Sequence, residues 1–298
     1  MTKTLVSVVV ATYRRELELQ RALASVAAQD YSCFEIIVVD DNDDAAWNKK
    51  VDRVIEQFTA EFSDIRLKYI RNSPNLGSAK SRNAGIEAAS GDYVCFLDDD
   101  DIYLPERIST QLDAMIKADA DYGVTDLMLY SEKDSLIEVR TRKYIEDTSS
   151  DKLLKYHLMY HITGTDTMMF KRQYLCDIGM FSPIDVGDEF YLMKKAIENG
   201  GRFIYTPVCF VKAYVHTGDG GLSSGESKLK GEMQLYDFKK NFFDRLDRAS
   251  VRYIKMRHHA VMAFAYLRIK RFGSFAIEAF KAFIVSPIGC ISLLRDLK

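Results

Sequence analysis

Tyr93-Val-Cys-Phe-Leu-Asp-Asp-Asp-Asp101 joins a short apolar run to four adjacent carboxylates. The apolar half reads as a strand buried on both faces, because it lacks the alternation of a half-exposed one. The acidic half needs its own cause. Four neighbouring carboxylates repel one another, and neither a core nor a helix start requires so many. A hard divalent cation does, since Mg²⁺ or Mn²⁺ takes oxygen ligands and shares them with phosphates. Taken alone, the run also fits a helix N-cap ahead of Pro105 or a solvated turn. Position favours the cation: Asp40-Asp41 follows Val39 in the same way, and in open α/β sheets ligands bind outside the carboxyl ends of strands. The glycine and the spaced acids of an EF-hand are missing.

Upstream of this stretch two hydrophobic periods alternate, the mark of an α/β unit. Leu5 to Val10 and Phe34 to Val39 are strands rich in β-branched residues, and Leu19, Ala22, Leu23, Val26 and Ala27 recur between them at helical spacing. Trp47 to Phe62 repeats the helical pattern, Ile65 to Ile70 adds a strand, and Asn72 to Gly77 is a turn cluster before a helix from about Ser78 to Ala89. Downstream, Pro105 suits the first turn of a helix whose core face carries Ile108, Leu112, Met115 and Ile116. Further strands are expected near Tyr122 to Tyr130, Thr165 to Phe170 and Arg202 to Thr206, with a helix from about Glu189 to Asn199. From Lys228 onward the pattern is helical.

The 298 residues allow one large domain or two small ones, at about 150 residues per domain. With 47% hydrophobic residues, 28% charged and only 5 Pro, a collagenous or largely disordered chain is excluded. Five cysteines, never in a Cys-x-x-Cys pair, suggest no disulfide framework or thiolate zinc site and point to a reducing compartment. The first apolar run is too short for a signal peptide, and no stretch reaches the roughly 18 uncharged apolar residues of a membrane span, so the protein is expected not to be integral. Charge is uneven: residues 228–298 hold 15 Lys and Arg against 6 Asp and Glu, a balance of +9 in a chain of net −2.

Four blocks now point to a family: Val6-Ser-Val-Val-Val-Ala-Thr-Tyr-Arg14, Phe34-Glu-Ile-Ile-Val-Val-Asp-Asp-Asn42, Asn75-Leu-Gly-Ser-Ala-Lys-Ser-Arg-Asn-Ala-Gly85 and Gly91-Asp-Tyr-Val-Cys-Phe-Leu-Asp-Asp-Asp-Asp101. In order, they resemble the family 2 inverting glycosyltransferases of GT-A fold. The likeness is specific over about residues 5–110, looser to about 225 and absent beyond. It implies an α/β fold with a mixed sheet flanked by helices over residues 1–225 and leaves a basic helical C-terminal region over 226–298.

The resemblance places Thr12 and Tyr13 against the nucleotide base and gives Asp41 the uracil N3–H. A carboxylate accepts from that imide but repels the acceptor N3 of cytosine. It makes Asp98 and Asp100 a metal motif for Mn²⁺ or Mg²⁺, with Asp100 the direct ligand and Asp99 near the ribose. Lys80 and Arg82 are candidates to reach a phosphate, although at this spacing on a helix at least one of them is expected to be only solvated, and Asn83 is expected to cap or position that helix rather than touch substrate. Val186-Gly-Asp-Glu-Phe-Tyr-Leu192 matches the block of the catalytic carboxylate, where relatives read Glu-Asp and this chain reads Asp188-Glu189. Either is a candidate base, Asp188 the preferred one because it follows Gly187 at the helix start, with the other expected to face solvent or a cation. A dipole-complementing acid is the plainer reading of each. His216, before a glycine-containing loop to Ser224, resembles the family's late metal-shell histidine, against the commoner structural role of a lone His.

The implied function is metal-dependent transfer from a UDP-sugar to an acceptor hydroxyl with inversion. A cytoplasmic or inner-membrane peripheral site follows, with a glycan or lipid-linked acceptor in surface polysaccharide or glycolipid synthesis. Lys255, Arg257, Arg268, Lys270 and Arg271 among Tyr253, Phe264, Tyr266, Phe272 and Phe275 suit a segment lying on an anionic membrane, and equally a helix packed on the catalytic domain. His258-His259 reads as surface. Basic charge without a recognition motif does not indicate nucleic-acid binding. The rivals are a nucleotidyltransferase, which needs a glycine-rich loop that Val10 to Arg15 lacks, and a catalytically silent sugar-nucleotide-binding partner subunit.

Overall fold

The computed structural model describes residues 3–184, 187–216 and 225–296. The chain divides into two compact units, one of Met1–Leu153 with Ile162–Val215 and one of Leu154–His161 with His216–Lys298. A linear division at 225 does not anticipate that 154–161 groups with the C-terminal residues.

The first unit opens with β1 (Val6–Thr12), α1 (Leu17–Ala27), β2 (Phe34–Asp40), α2 (Ala45–Glu61), β3 (Arg66–Arg71), α3 (Ser78–Ala88) and β4 (Tyr93–Phe96). β1 and β2 are buried on both faces and pair in parallel, Val8 opposite Ile36 and Thr12 opposite Asp40. This explains their uninterrupted apolar sequence. Then follow β5 (Ile102–Tyr103), α4 (Arg107–Lys117), β6 (Tyr122–Thr125), β7 (Leu127–Ser131), β8 (Leu136–Arg140), α5 (Ser150–Tyr160), which belongs to the second unit from Leu154 on, β9 (Met168–Lys171), α6 (Arg172–Asp177), α7 (Asp188–Glu198), β10 (Phe203–Thr206) and β11 (Val211–Val215).

Seven strands form one sheet in the order β10-β6-β9-β4-β1-β2-β3, in which β9 alone runs antiparallel to its neighbours; β5-β11-β7-β8 form a second sheet. The strand order reverses between β1 and β4, so a crevice opens at their carboxyl ends. Val8, Val10, Ile36, Val38, Leu19 and Leu23 pack the core beneath it with no exposure. Two expectations change here. The single strand over Tyr122 to Tyr130 is two strands in different sheets, and the strand expected from Thr165 begins with a 3₁₀ turn, Thr165–Thr167, before β9.

The second unit adds α8 (Gly225–Lys240), α9 (Arg248–Arg268), α10 (Phe272–Val285) and α11 (Pro287–Asp296). Asp247 caps α9, accepting from the Ser250 N–H at 2.8 Å. Leu229, Met262 and Ala265 form a small apolar cluster joined by Tyr266 and Ile269. His258 and His259 are not free surface groups: they lie 3.2 Å from Glu232 and 2.7 Å from Glu278, with side chains 10% and 21% exposed. Among the described residues no helix is long and apolar enough to cross a membrane.

Candidate active site

The crevice is built by the turns that follow β1, β2 and β4. Thr12, the buried last residue of β1, donates to Asp99 Oδ2 at 2.7 Å, and the Tyr13 N–H donates to the same oxygen at 3.2 Å. Asp99 therefore ties the β4 turn to the end of β1. Tyr13 is 43% exposed, with the Arg14 guanidinium 5.1 Å from its ring centre.

Asp40 and Asp41 have dense protein partners. Buried Asp40 accepts from Asn42 and from the Tyr69 hydroxyl. Asp41 Oδ1 accepts from the Leu76 N–H at 2.8 Å and Asn72 Nδ2 at 2.9 Å, and Oδ2 accepts from the Gly77 N–H at 2.8 Å. The carboxylate thus holds the turn that launches α3. Gly77, at φ +83°, supplies a backbone conformation that L side chains rarely adopt.

Helix α3 carries Lys80 outward and Arg82 inward. Lys80 is exposed. Arg82 is buried and forks, Nη1 to Asp188 Oδ2 and Nη2 to Asp98 Oδ1, each at 2.7 Å. Burial alone pulls its pKa down, and the charges of Asp98 and Asp188 more than offset this. Asn83 clamps the chain ahead of α7, donating to the Phe181 carbonyl and accepting from the Phe181 N–H, both at 2.9 Å.

Asp188 opens α7 after Gly187, which is left-handed at φ 80°. Its side chain is buried, with Oδ1 accepting from the Glu189 N–H at 2.9 Å. Glu189, the member of the pair expected to face solvent or a cation, is half-buried and feels the charge of Arg82. Its carboxyl hydrogen-bonds to that of Asp188, and burial followed by the Asp188 charge pushes its pKa up to about 8. That rise favours the protonated form of its carboxyl.

The acidic turn after β4 converges with a residue the sequence did not mark. Oxygens of Asp98, Asp101 and Asp166 all lie within 4.8 Å of one another, and Asp166 accepts from the Asp98 N–H at 2.6 Å. Asp101 also accepts from the Tyr214 N–H at 2.8 Å, and buried Arg107 braces the Asp166 carbonyl at 2.8 Å. Asp100, expected as the direct ligand, faces Arg15 at 2.9 Å. Burial pushes up the pKa of Asp98, of Asp99 and Asp166 (each to about 7) and of Asp101 (well above the usual range), and neighbouring carboxylates add to each rise. Crowded oxygens that resist sharing negative charge fit a hard divalent cation, which would reverse that penalty. His216 falls in the second unit, and the loop expected after it, 217–224, lies outside the described residues.

A mixed sheet with flanking helices, reversing its order above a carboxylate-lined crevice, defines the GT-A class of fold. The chain belongs to glycosyl transferase family 2, whose model matches residues 7–177. It is 34% identical over 178 residues to the uncharacterized glycosyltransferase MJ1057 of Methanocaldococcus jannaschii, covering 59% of this chain and 58% of that one. It is 33% identical over 117 residues to the Escherichia coli UDP-Glc:alpha-D-GlcNAc-diphosphoundecaprenol beta-1,3-glucosyltransferase WfgD, covering 39% and 43%. The matched stretch thus spans about three fifths or less of these relatives. The mannosyltransferase PcManGT from Pyrobaculum calidifontis, solved with GDP-Man and Mn²⁺, superposes with a TM-score of 0.59 at 19% identity, covering 97% of this chain and 78% of that one. At that identity the likeness speaks for the fold.

Proposed function

We propose that the chain transfers a sugar from a UDP-sugar to a hydroxyl of a glycan or lipid-linked acceptor, with inversion at the anomeric carbon. One observation carries the reading: the buried Asp188 carboxylate at the start of α7 stands one guanidinium away from the acidic turn after β4. Inversion needs a base on the sugar face opposite the leaving diphosphate, and Asp188 is the carboxylate set apart from the acidic cluster.

Asp98, Asp101 and Asp166 would hold Mn²⁺ or Mg²⁺, with Asp100 beside them, and the bound ion supplies charge neutralisation of the departing diphosphate. The chain's own groups do the rest. Tyr13 stacks on the base, Asp41 offers its remaining lone pair to uracil N3–H, and Asp99, fixed by Thr12, lies toward the ribose. The acceptor oxygen attacks the anomeric carbon as its proton passes to Asp188, and the bond to UDP breaks with its electron pair leaving on the diphosphate. Arg82 orients Asp188, and exposed Lys80 is available to a phosphate.

The name of the Escherichia coli relative includes a diphosphoundecaprenol-linked acceptor, which supports a lipid-linked acceptor here. The +9 balance of residues 228–298 supports a peripheral position on an anionic membrane surface, in surface polysaccharide or glycolipid synthesis.

Titration calorimetry with UDP, in Mn²⁺ and in chelator, tests the site. Affinity should fall on chelation, and Asp166→Asn should remove the difference. Equal affinity in both buffers removes the cation, and preference for GDP over UDP removes the uracil assignment. Release of UDP from a panel of UDP-sugars on adding acceptor separates an enzyme from a silent binder.

A further inference from the structure

Helix α10 is amphipathic in the reverse sense to an ordinary surface helix. Its solvent side carries Phe272, Ile277, Phe280, Phe283 and Ile284, which are 52–64% exposed. At 100° per residue these side chains, with Ala276, fall within one arc of roughly 140°. The charge lies on the packed side: Glu278 meets His259 of α9 at 2.7 Å, and Ala282 beside it is buried. α11 extends the apolar surface with Ile288, 80% exposed, and Ile291, 50% exposed. A water-facing helix has no use for this arrangement.

The surroundings are cationic. Between Arg248 and Ile291 the sequence holds eight Lys and Arg and one acid, Glu278, already paired within the unit. Exposed Arg268, Lys270 and Arg271 sit at the amino end of α10, Arg271 in an exposed ion pair with Glu226 at 2.6 Å that lipid phosphate would have to replace. At its carboxyl end Val285, whose carbonyl accepts from Arg252, borders a cleft of about 380 Å³ lined by Phe243, Leu246 and Val251 together with Arg248, Arg252 and Lys255.

We propose that α10 and the start of α11 lie in the interface of an anionic bilayer. Phe280, Phe283 and Ile284 enter the acyl boundary, and the cations at both helix ends meet lipid phosphates. This rests on the membrane-surface reading of residues 228–298 and names the element that enters. It shifts the main contact from α9, where Ile254, Met256, Met262, Ala263 and Ala265 are buried and only Phe264 and Leu267 are exposed large apolar side chains, at 45% and 39%. A second copy of the chain suits the face less well, because antiparallel pairing of two α10 helices sets one cationic end against the other.

Sedimentation of the full chain with phosphatidylglycerol-containing and with pure phosphatidylcholine vesicles tests the proposal. Wild type should bind the anionic vesicles, more weakly as salt rises. Phe280→Ser with Ile284→Ser should lower binding by roughly tenfold or more, from the lost apolar burial. Their exposure predicts an unchanged melting temperature and unchanged UDP affinity. Lys270→Glu with Arg271→Glu should weaken binding to the anionic vesicles. If wild type binds neither vesicle, the membrane reading falls with this one. If it binds and the serine variant binds equally, only the role of α10 falls. A wild-type dimer that the serine variant converts to monomer, without vesicle binding by either, overturns the proposal in favour of self-association.

Discussion

Asp98 and Asp188 are linked by one side chain, the Arg82 guanidinium, which donates to each at 2.7 Å. The three come from the turn after β4, the first residue of α7 and the middle of α3, so the bridge exists only when the sheet has assembled. A buried cation between two carboxylates fixes the distance from the acidic turn to the proposed base and keeps both carboxylates oriented. A planar fork suits this task; a lysine point charge does not.

Arg82→Met should destabilise the protein by about 3–5 kcal/mol, because two carboxylates lose their common partner in a largely buried setting. Arg82→Lys should recover part of that stability but not the activity, since one ammonium cannot hold both carboxylates in the same geometry. Urea unfolding beside kcat checks this. A lysine variant with wild-type kcat would show that the fork positions nothing.

Asp41→Ala should cost about 3 kcal/mol of stability, from three lost hydrogen bonds at roughly 1 kcal/mol each. The substitution therefore acts on the protein as well as on any ligand. The informative measurement is the ratio of UDP to CDP affinity at a temperature where the variant stays folded. If a uracil contact exists, UDP loses more than CDP. Equal losses would assign the whole effect to the slackened turn at 75–77.

Why the site was only partly legible follows from where its contacts come from. Strands buried on both faces announce themselves locally, so β1, β2 and β4 and the turns that follow them could be read directly. Asp166 could not: Thr165-Asp-Thr167 looks like any polar strand start, and it reaches Asp98 because β9 pairs with β4, Cys95 opposite Met169. The break in the expected strand at 122–130 has a similar cause. Asp126 interrupts the apolar run, and its buried carboxylate accepts from the Tyr205 hydroxyl and the Arg142 N–H, partners 79 and 16 residues away. β5 has two residues and β8 is mostly exposed, so neither carries a hydrophobic pattern to read. Arg82 looked like a phosphate contact because nothing in the sequence said that its helix faces α7.

The Glu189 proton predicts a pH dependence. Its folded pKa, about 8, lies above the ordinary value of 4.5, so the native state binds a proton that the unfolded state has already lost across this range. Stability should therefore fall as pH rises from about 5 to about 8. Glu189→Gln removes that group and should lessen the slope, most between about pH 7 and 8, above the values to which Asp99 and Asp166 are raised, leaving the variant more stable than wild type above pH 8. Melting temperatures at fixed ionic strength decide it. A parallel slope in both proteins would place the titration elsewhere.

The choice of base can be tested on the same pair. If Asp188 takes the acceptor proton, Asp188→Asn should keep UDP-sugar affinity near wild type and lower kcat by roughly 10²–10⁴, the range that general base catalysis supplies. Glu189→Gln should be milder for a structural reason: a protonated Glu189 donates to Asp188, and the amide of Gln can donate in its place. Glu189→Leu, which cannot donate, should fall between the two in kcat, because Asp188 then loses a hydrogen-bond donor that helps to orient it. If Glu189→Gln is the inactive variant and Asp188→Asn the active one, the roles within the pair are reversed. If both stay active, Asp188-Glu189 only starts a helix, and the base must be sought elsewhere in the crevice.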